Sequence, residues 1–172
     1  MRVAAVIFLL SLCACRDVPD YPLPQQSPSF ENFRTHAVRV VDLAQGGADQ
    51  HIVRDIIGGS SLPWRWTLQR PAVKVRIGFN TSLNYLIDFT IAAATFKTTG
   101  PVTIAFTVND HVLDRVRYTS PGPKHFEKPV PREWIQPHQD AIAGAEIDKV
   151  WVSKDDGAHL GFILSRIGLV ER

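Results

Sequence analysis

Cysteine is nearly absent from this sequence of 172 residues, and its two cysteines, Cys13 and Cys15, are separated by a single residue near the amino terminus. The remainder of the chain therefore contains no disulfide bond. The 19 Lys and Arg residues almost balance the 17 Asp and Glu residues and never form a basic run. A nucleic-acid-binding protein needs a dense basic surface, so this charge balance argues against such a partner.

Sequence motifs of several common enzyme classes are missing as well. The chain contains no Gly-x-Ser-x-Gly, His-Glu-x-x-His or Gly-x-x-x-x-Gly-Lys sequence. The six histidines are isolated and lack the short spacing that is typical of zinc ligands. We therefore expect a protein that is not an enzyme, with no zinc site and no organic cofactor.

An apolar run over residues 3–12 follows a short basic start and is too short for the ~20 residues that span a bilayer. Together with the small residue Ala14, this pattern is typical of a secretory signal. A cysteine directly after that small residue resembles a bacterial lipobox. The resemblance implies cleavage before Cys15, a lipid with palmitate chains on its thiol and, because Arg16 rather than aspartate follows, the outer membrane of a bacterial envelope. An ordinary signal peptide and an uncleaved anchor are the alternatives.

The sequence predicts three segments, namely a signal peptide at residues 1–14, the lipidated Cys15 with its tether at 15–29, and one domain at 30–172. Residues 16–29 contain four prolines, which oppose a helix and favour an extended spacer. Removal of residues 1–14, with their single charge at Arg2, leaves 158 residues with 18 Lys and Arg against 17 Asp and Glu. That length suits a single domain with one core.

Strict alternation of apolar and polar residues predicts β-strands in most of the domain. The Asn109-Asp110 pair tolerates positive φ angles and predicts a tight hairpin turn. Residues 52–57 are expected to form a short helical turn, and Pro71 is expected to end a strand. The predicted strands lie in residues 38–40, 64–69, 73–77, 85–91, 102–108, 111–118, 126–130, 147–152 and 160–164, and residues 167–169 close the domain.

Short strands separated by turns at this spacing predict an all-β fold, an antiparallel β-sandwich. A jelly-roll arrangement is preferred over an immunoglobulin-like one, because the Cys-Trp-Cys core of immunoglobulins is absent. Residues 64–169 resemble galactose-binding-like sandwich modules of bacterial surface proteins, with matching patterns in residues 100–109, 124–131 and 148–164. The resemblance implies sugar binding, and a structural calcium ion that many such sandwiches carry.

Binding of a sugar needs an aromatic ring for the pyranose face and polar side chains for the hydroxyl groups. Trp66 and Trp151 alternate with polar neighbours and are predicted to be core residues. Trp134 lies in a loop between prolines and is the predicted exposed platform. The polar candidates are Glu133 beside it, Asp88 on the polar side of a strand, and the hairpin residues Asn109, Asp110 and His111, for which plain turn chemistry is the alternative.

The densest acidic cluster is the candidate calcium site. Asp155 and Asp156 stand in a loop with a glycine, seven residues after Asp148, and carboxylate oxygens are the ligands that Ca²⁺ prefers. The loop lacks the alternating spacing of a dedicated calcium loop, so a solvated turn is the alternative.

These features favour an envelope lipoprotein whose sandwich binds envelope or extracellular polysaccharide without catalysis. The competing hypothesis is an interaction or scaffold lipoprotein that docks another envelope protein through an apolar patch. A third hypothesis is a small hydrolase that uses Glu133 or Asp148, which requires two carboxylates facing each other across a cleft.

Overall fold

The computed structural model describes residues 39–58, 62–154 and 156–172. The predicted signal peptide, the lipidation site Cys15 and the tether lie outside the described residues, so these remain predictions. Within the described ranges, no helix is long and apolar enough to cross a membrane.

The described chain consists almost entirely of antiparallel strands, with one short helix, α1 (Ala93–Thr99), and two single 3₁₀ turns at Ala48–His51 and Arg132–Trp134. The strands are β1 (Val40–Asp42), β2 (Ile52–Ile56), β3 (Arg65–Arg76), β4 (Leu83–Ile91), β5 (Val102–Val108), β6 (His111–Tyr118), β7 (Gly122–Pro129), β8 (Asp140–Ile147), β9 (Trp151–Val152), β10 (His159–Leu160) and β11 (Ile163–Glu171).

The strands form two layers that face each other. The first layer runs in the order β1, β11, β4, β7, and the second in the order β2, β3, β8, β5, β6. The start of β3 also pairs with β11, which joins the layers along one side. The rings of Tyr85 and Phe106, from opposite layers, lie 5.8 Å apart. The predicted antiparallel β-sandwich is therefore confirmed.

The path of the chain follows the jelly-roll preference rather than the immunoglobulin pattern. The chain passes from one layer to the other between β3 and β4, β4 and β5, β6 and β7, and β7 and β8. In an immunoglobulin domain the last two strands lie side by side in one sheet. Here the last strand, β11, lies between β1 and β4 instead.

The core fills the space between the layers with aliphatic side chains and an aromatic cluster. Phe106 of β5 stacks on Phe126 of β7 with ring centroids 3.9 Å apart. Phe89 contacts Phe106, Tyr118 and Phe162 at centroid distances of 5.0–6.2 Å. Burial of this much apolar surface is the main stabilising contribution to the fold.

Strand β3 departs from its predicted form in two respects. It runs straight through Pro71, which lies beside a register shift against β2 where a missing N–H is tolerated. In its first half the buried positions are Arg65 and Thr67, whereas Trp66 is only half-buried. The inward face is thus the one predicted to be polar. Thr67 can face inward because its hydroxyl group donates to the Phe162 carbonyl at 3.0 Å and accepts the Phe162 N–H at 3.1 Å.

Two other local predictions are wrong. Residues 52–56 form strand β2 rather than a helical turn, because they pair with β3. Trp151, predicted to lie in the core, is also half-buried, since it belongs to the two-residue strand β9, which pairs with β10 and with no other strand of the described residues.

Candidate functional site

The predicted hairpin between β5 and β6 is present, and its turn residues have the backbone angles expected of it. Asn109 and Asp110 have φ values of 47° and 65°, and both are among the residue types that adopt positive φ most readily. The turn lies beside β8, because the Asn109 N–H donates to the Ile142 carbonyl at 2.9 Å. The prediction of a tight turn at these two residues is confirmed.

Asn109 attaches this turn to the loop between β7 and β8. Its side-chain amide nitrogen donates to the Trp134 carbonyl at 2.7 Å, and its side-chain oxygen accepts the Ile142 N–H at 2.8 Å. Both ends of the amide group are therefore engaged within the protein. Asn109 positions the neighbouring residues rather than offering its own amide to a ligand.

Trp134 and His111 form a stacked pair above this attachment. Their ring centroids are 4.9 Å apart and the rings are inclined by 20°. Trp134 is half-buried and packs partly on the core, whereas His111 is exposed. The structure thus brings together two residues that sequence reasoning selected separately, but it covers one face of the predicted Trp134 platform with an imidazole ring.

The open aromatic ring of this region is Phe79, which the sequence analysis did not select. Phe79 is 87% exposed in the loop between β3 and β4. The ring of His138 meets it edge to face, with centroids 4.2 Å apart. The His138 N–H donates to the Gly78 carbonyl at 3.3 Å, which links the two loops. The available signal was a phenylalanine between Gly78 and Asn80, in a turn-forming segment where burial is not expected.

We call this region the loop end, defined as residues 77–82, the turn at 109–111 and residues 130–139. Glu133 lies on it as an exposed residue of the 3₁₀ turn. The Asp110 side chain is 87% exposed, with a carboxylate oxygen 3.8 Å from an Arg54 nitrogen. The predicted residues Asn109, Asp110, His111, Glu133 and Trp134 therefore all belong to the loop end.

A shallow groove on the outer face of the second layer begins at the loop end. Asp110 and Glu146 line a cavity of about 160 Å³, and Glu146 also lines a neighbouring cavity of about 190 Å³. The side chain of Arg70 donates to Glu146 from two nitrogens, at 3.0 and 2.9 Å. Ala105 of β5, which pairs with Glu146 of β8, is small and leaves space on this face.

Asp88 lies apart from the loop end, on the outer face of the first layer. Its two carboxylate oxygens contact His125 Nδ1 at 2.6 Å and Arg166 Nε at 2.7 Å. Partial burial raises the pKa of Asp88, but the hydrogen bonds and charges of His125 and Arg166 together outweigh it and lower that pKa. This carboxylate is occupied by protein partners.

The acidic residues of the candidate calcium site also use their oxygens locally. Asp148 accepts the Thr103 N–H at 2.8 Å, and Asp156 accepts the Ala158 N–H at 3.1 Å. Hydrogen bonds from Ser153 and Ala158 hold the pKa of Asp156 below its ordinary value. Asp155 lies outside the described residues, and the described ones contain no group of three His, Cys, Asp or Glu side chains that would hold a metal ion.

No protein-family model matches the sequence, and no curated protein matches it either. Among solved structures, a family 35 carbohydrate-binding module from Clostridium thermocellum is similar over 70% of this chain and 87% of its own, with 11% identity and a TM-score of 0.38. A CBM35 from Paenibacillus barcinonensis is similar over 77% of this chain and 98% of its own, with 11% identity and a TM-score of 0.41.

A third similar structure is BtGH115A, a family GH115 4-O-methyl-α-glucuronidase with specificity for decorated arabinogalactans. The match covers 79% of this chain but 18% of that enzyme, with 12% identity and a TM-score of 0.39. At these scores the three similarities give no residue-by-residue correspondence to the loop end.

Proposed function

We propose that this protein is a non-catalytic carbohydrate-binding lipoprotein of the cell envelope, and that the loop end is its binding site. The observation that carries the proposal is Phe79, an 87% exposed aromatic ring on the same loop end as the His111–Trp134 stack. Single exposed apolar residues are common on protein surfaces, so the proposal depends on the position of Phe79, whose open ring shares the loop end with a second aromatic pair and exposed polar side chains, as sugar recognition requires.

The loop end offers both components of sugar recognition. The ring of Phe79 would cover the apolar face of a pyranose, and the ring of His138 contacts it edge to face. His111, Asp110 and Glu133 would supply hydrogen bonds to the hydroxyl groups from exposed positions. The groove that begins at Asp110 gives room for further sugar units, which favours a polysaccharide over a single sugar.

The carboxylates of the loop end favour binding over hydrolysis. A glycosidase needs a general acid whose pKa is raised by an apolar, buried surrounding. Asp110 is 87% exposed and Glu133 is also exposed, so neither has that surrounding. Asp148, the other carboxylate considered for hydrolysis, already accepts the Thr103 N–H.

A glycan and polysaccharide array tests the binding function. We expect the protein to bind at least one envelope or extracellular polysaccharide, and Phe79→Ala to weaken that binding about tenfold or more, as for other aromatic anchors. Val152→Ala is the matched control, because Val152 is 49% exposed on β9, outside the loop end. Silence of the folded protein across the array would refute the proposal, and binding kept by Phe79→Ala would refute its site.

The anchor is tested by mass spectrometry of the amino-terminal peptide from membrane fractions. We expect a diacyl or triacyl group on Cys15, and a Cys15→Ser variant that leaves the membrane fraction, because acyl chains insert through their buried CH₂ groups. A Cys15 thiol without lipid in the membrane fraction would contradict the anchor and leave the array result unaffected.

Docking of another envelope protein is the second candidate function. Strand β2 pairs only with β3 in the described part of the chain, and Val53 and Ile57 on or beside it are 46% and 43% exposed. An unpaired strand edge with apolar side chains is a common docking surface. Cross-linking from the Val53→Cys position to an envelope protein, combined with silence on the array, would favour this function.

A further inference from the structure

Arg65 is a buried cation whose hydrogen-bonding groups are mostly unused. It points inward from the start of β3 and is 6% exposed. Its Nε and Nη1 atoms have no hydrogen-bond partner in the part of the chain that the structure describes. The nearest carboxylate oxygen in an ion pair, on Asp49, is 3.7 Å from Nη2, which is beyond ordinary hydrogen-bond distance.

Such an arrangement is costly unless something compensates for it. A buried guanidinium group loses its hydration, and buried charges in proteins are normally paired and hydrogen-bonded. Asp49 compensates poorly, because its side chain is 58% exposed and solvent screens its charge. The environment of Arg65 therefore favours a further anionic partner.

A cavity of about 200 Å³ adjoins Arg65. Its wall is the segment from Leu43 to Asp49, including Gln45, Gly46 and Gly47. This volume equals that of about seven water molecules, enough for a small organic acid. The cavity thus lies against the Arg65 side chain, but Nε and Nη1 each expose less than 1 Å², so a ligand in the cavity reaches them only after a movement of Arg65 or of the residues that cover it.

We propose that this cavity binds a small hydroxycarboxylate, with Arg65 as the anchor for its carboxylate group. Guanidinium groups recognise carboxylates through charge-assisted hydrogen bonds. The carboxylate of Asp49 and the amide of Gln45 line the same cavity and would meet the hydroxyl groups. The negative charge of Asp49 disfavours a dianion such as phosphate. The cavity therefore favours a ligand with one negative charge.

This site is separate from the carbohydrate site proposed above. Arg65 lies at the start of β3 and the loop end follows the end of the same strand at Arg76. Eleven residue steps of a strand extend on the order of 30 Å. Failure of one proposal therefore leaves the other intact.

Thermal unfolding of the protein with D-gluconate tests the proposal, with the neutral polyol D-glucitol in parallel and ionic strength held constant with sodium chloride. We expect gluconate to raise the unfolding midpoint by about 4 °C at ten times its dissociation constant, and glucitol to leave it unchanged. Arg117→Met, an exposed arginine on β6, should keep the gluconate response, and Arg65→Met should abolish it.

The proposal would be overturned if gluconate raised the unfolding midpoint of Arg65→Met as much as that of the wild type. It would also be overturned if gluconate at 100-fold molar excess over the protein or above did not raise the midpoint of the wild type. Arg65→Met replaces a buried side chain and could fail to fold. Saturation-transfer NMR on the wild type tests the proposal without that variant. There we expect transfer to gluconate but not to glucitol, and transfer to acetate as the minimal carboxylate. Transfer to none of the three, or equally to gluconate and glucitol, would also overturn it.

Discussion

At the scale of single residues, Tyr85 connects the two layers through the only polar atom of its side chain. Its ring is fully buried, and its hydroxyl group donates to the Gly144 carbonyl of β8 at 2.9 Å. Burial, with a smaller contribution from Tyr118, raises the pKa of Tyr85 well above its ordinary value, so the hydroxyl group stays a neutral donor.

We expect Tyr85→Phe to lower the free energy of unfolding by about 1 kcal/mol, because it leaves a buried carbonyl oxygen with one partner fewer. Urea unfolding measures the change. Tyr118→Phe is the control, since Tyr118 is only half-buried and no hydrogen bond from its hydroxyl group is seen in the described chain. Equal losses in the two variants would contradict the importance of the Tyr85 bond.

Asp88 makes the stability of the first layer dependent on pH. Because its pKa is lowered in the folded protein, its contribution is present above the pKa of the unfolded chain. The contribution is lost as the pH falls from about 5 through the folded-state pKa. His125 and Arg166 are the partners that protonation would release.

We expect Asp88→Asn to reduce stability by about 1 kcal/mol at pH 7 and to flatten the loss of stability between pH 5 and 3. Chemical unfolding at several pH values measures both effects. Asp110→Asn removes the same charge from an 87% exposed side chain. This variant should lose stability between pH 5 and 3 as the wild type does. If the free energy of unfolding of Asp88→Asn fell as steeply between pH 5 and 3 as that of the wild type, other carboxylates would control the loss of stability in acid.

At the scale of secondary-structure elements, β1 depends on a close approach to β11. Val40 of β1 pairs with Gly168 of β11, and the Leu169 N–H donates to the Arg39 carbonyl at 2.8 Å. A Cβ atom at Gly168 would collide with the Arg39 carbonyl oxygen and the Val40 Cα, which are backbone atoms. Glycine is therefore required for β1 to pair at this position.

We expect Gly168→Ala to cost about 2 kcal/mol or more and to speed hydrogen exchange of the Leu169 amide, because β1 must move away. Denaturant unfolding and hydrogen exchange measure the two effects. Gly46→Ala should change stability by less than about 0.5 kcal/mol, since no atom of residues 39–58, 62–154 or 156–172 lies within 4 Å of the added atom. An unchanged Leu169 amide in Gly168→Ala would contradict this account of β1.

The elements also show how far the sequence determines the fold in advance. The alternation in β4 and β5, and the Asn109-Asp110 turn, were sufficient to predict strands and a hairpin. Strand β8 was missed in most of its length because Ala141–Ala145 consists mainly of small residues with weak strand preference. Small residues are needed there because the Tyr85 hydroxyl group and the Thr107 side chain approach Gly144 closely.

The candidate site was only partly predictable for a related reason. Local turn chemistry singled out Asn109 and Asp110, and loop position singled out Trp134. Their meeting depends on the Asn109 bond to the Trp134 carbonyl, which spans 25 residues and leaves no trace in local periodicity. Phe79 was missed because a single aromatic residue in a loop has no pattern around it.

At the scale of the whole molecule, one end of the sandwich gathers three loops around exposed rings, whereas the large exposed apolar side chains elsewhere on the described surface, such as Val53, Ile57 and Val152, are aliphatic. Edge strands β6 and β7 are joined by the Lys128–Asp114 ion pair at 2.8 Å and carry several charges. Charged edges oppose strand-to-strand association. The loop end is therefore the region of the described surface best suited to a carbohydrate.

The most direct test is an NMR titration of the isotopically labelled protein with the polysaccharide that binds best on the array. Binding at the loop end should concentrate amide shifts in residues 77–82, 109–111 and 130–139 and leave the amides around Asp88 and Arg65 unchanged. Shifts centred on the outer face of the first layer, around Asp88 and His125, would contradict it.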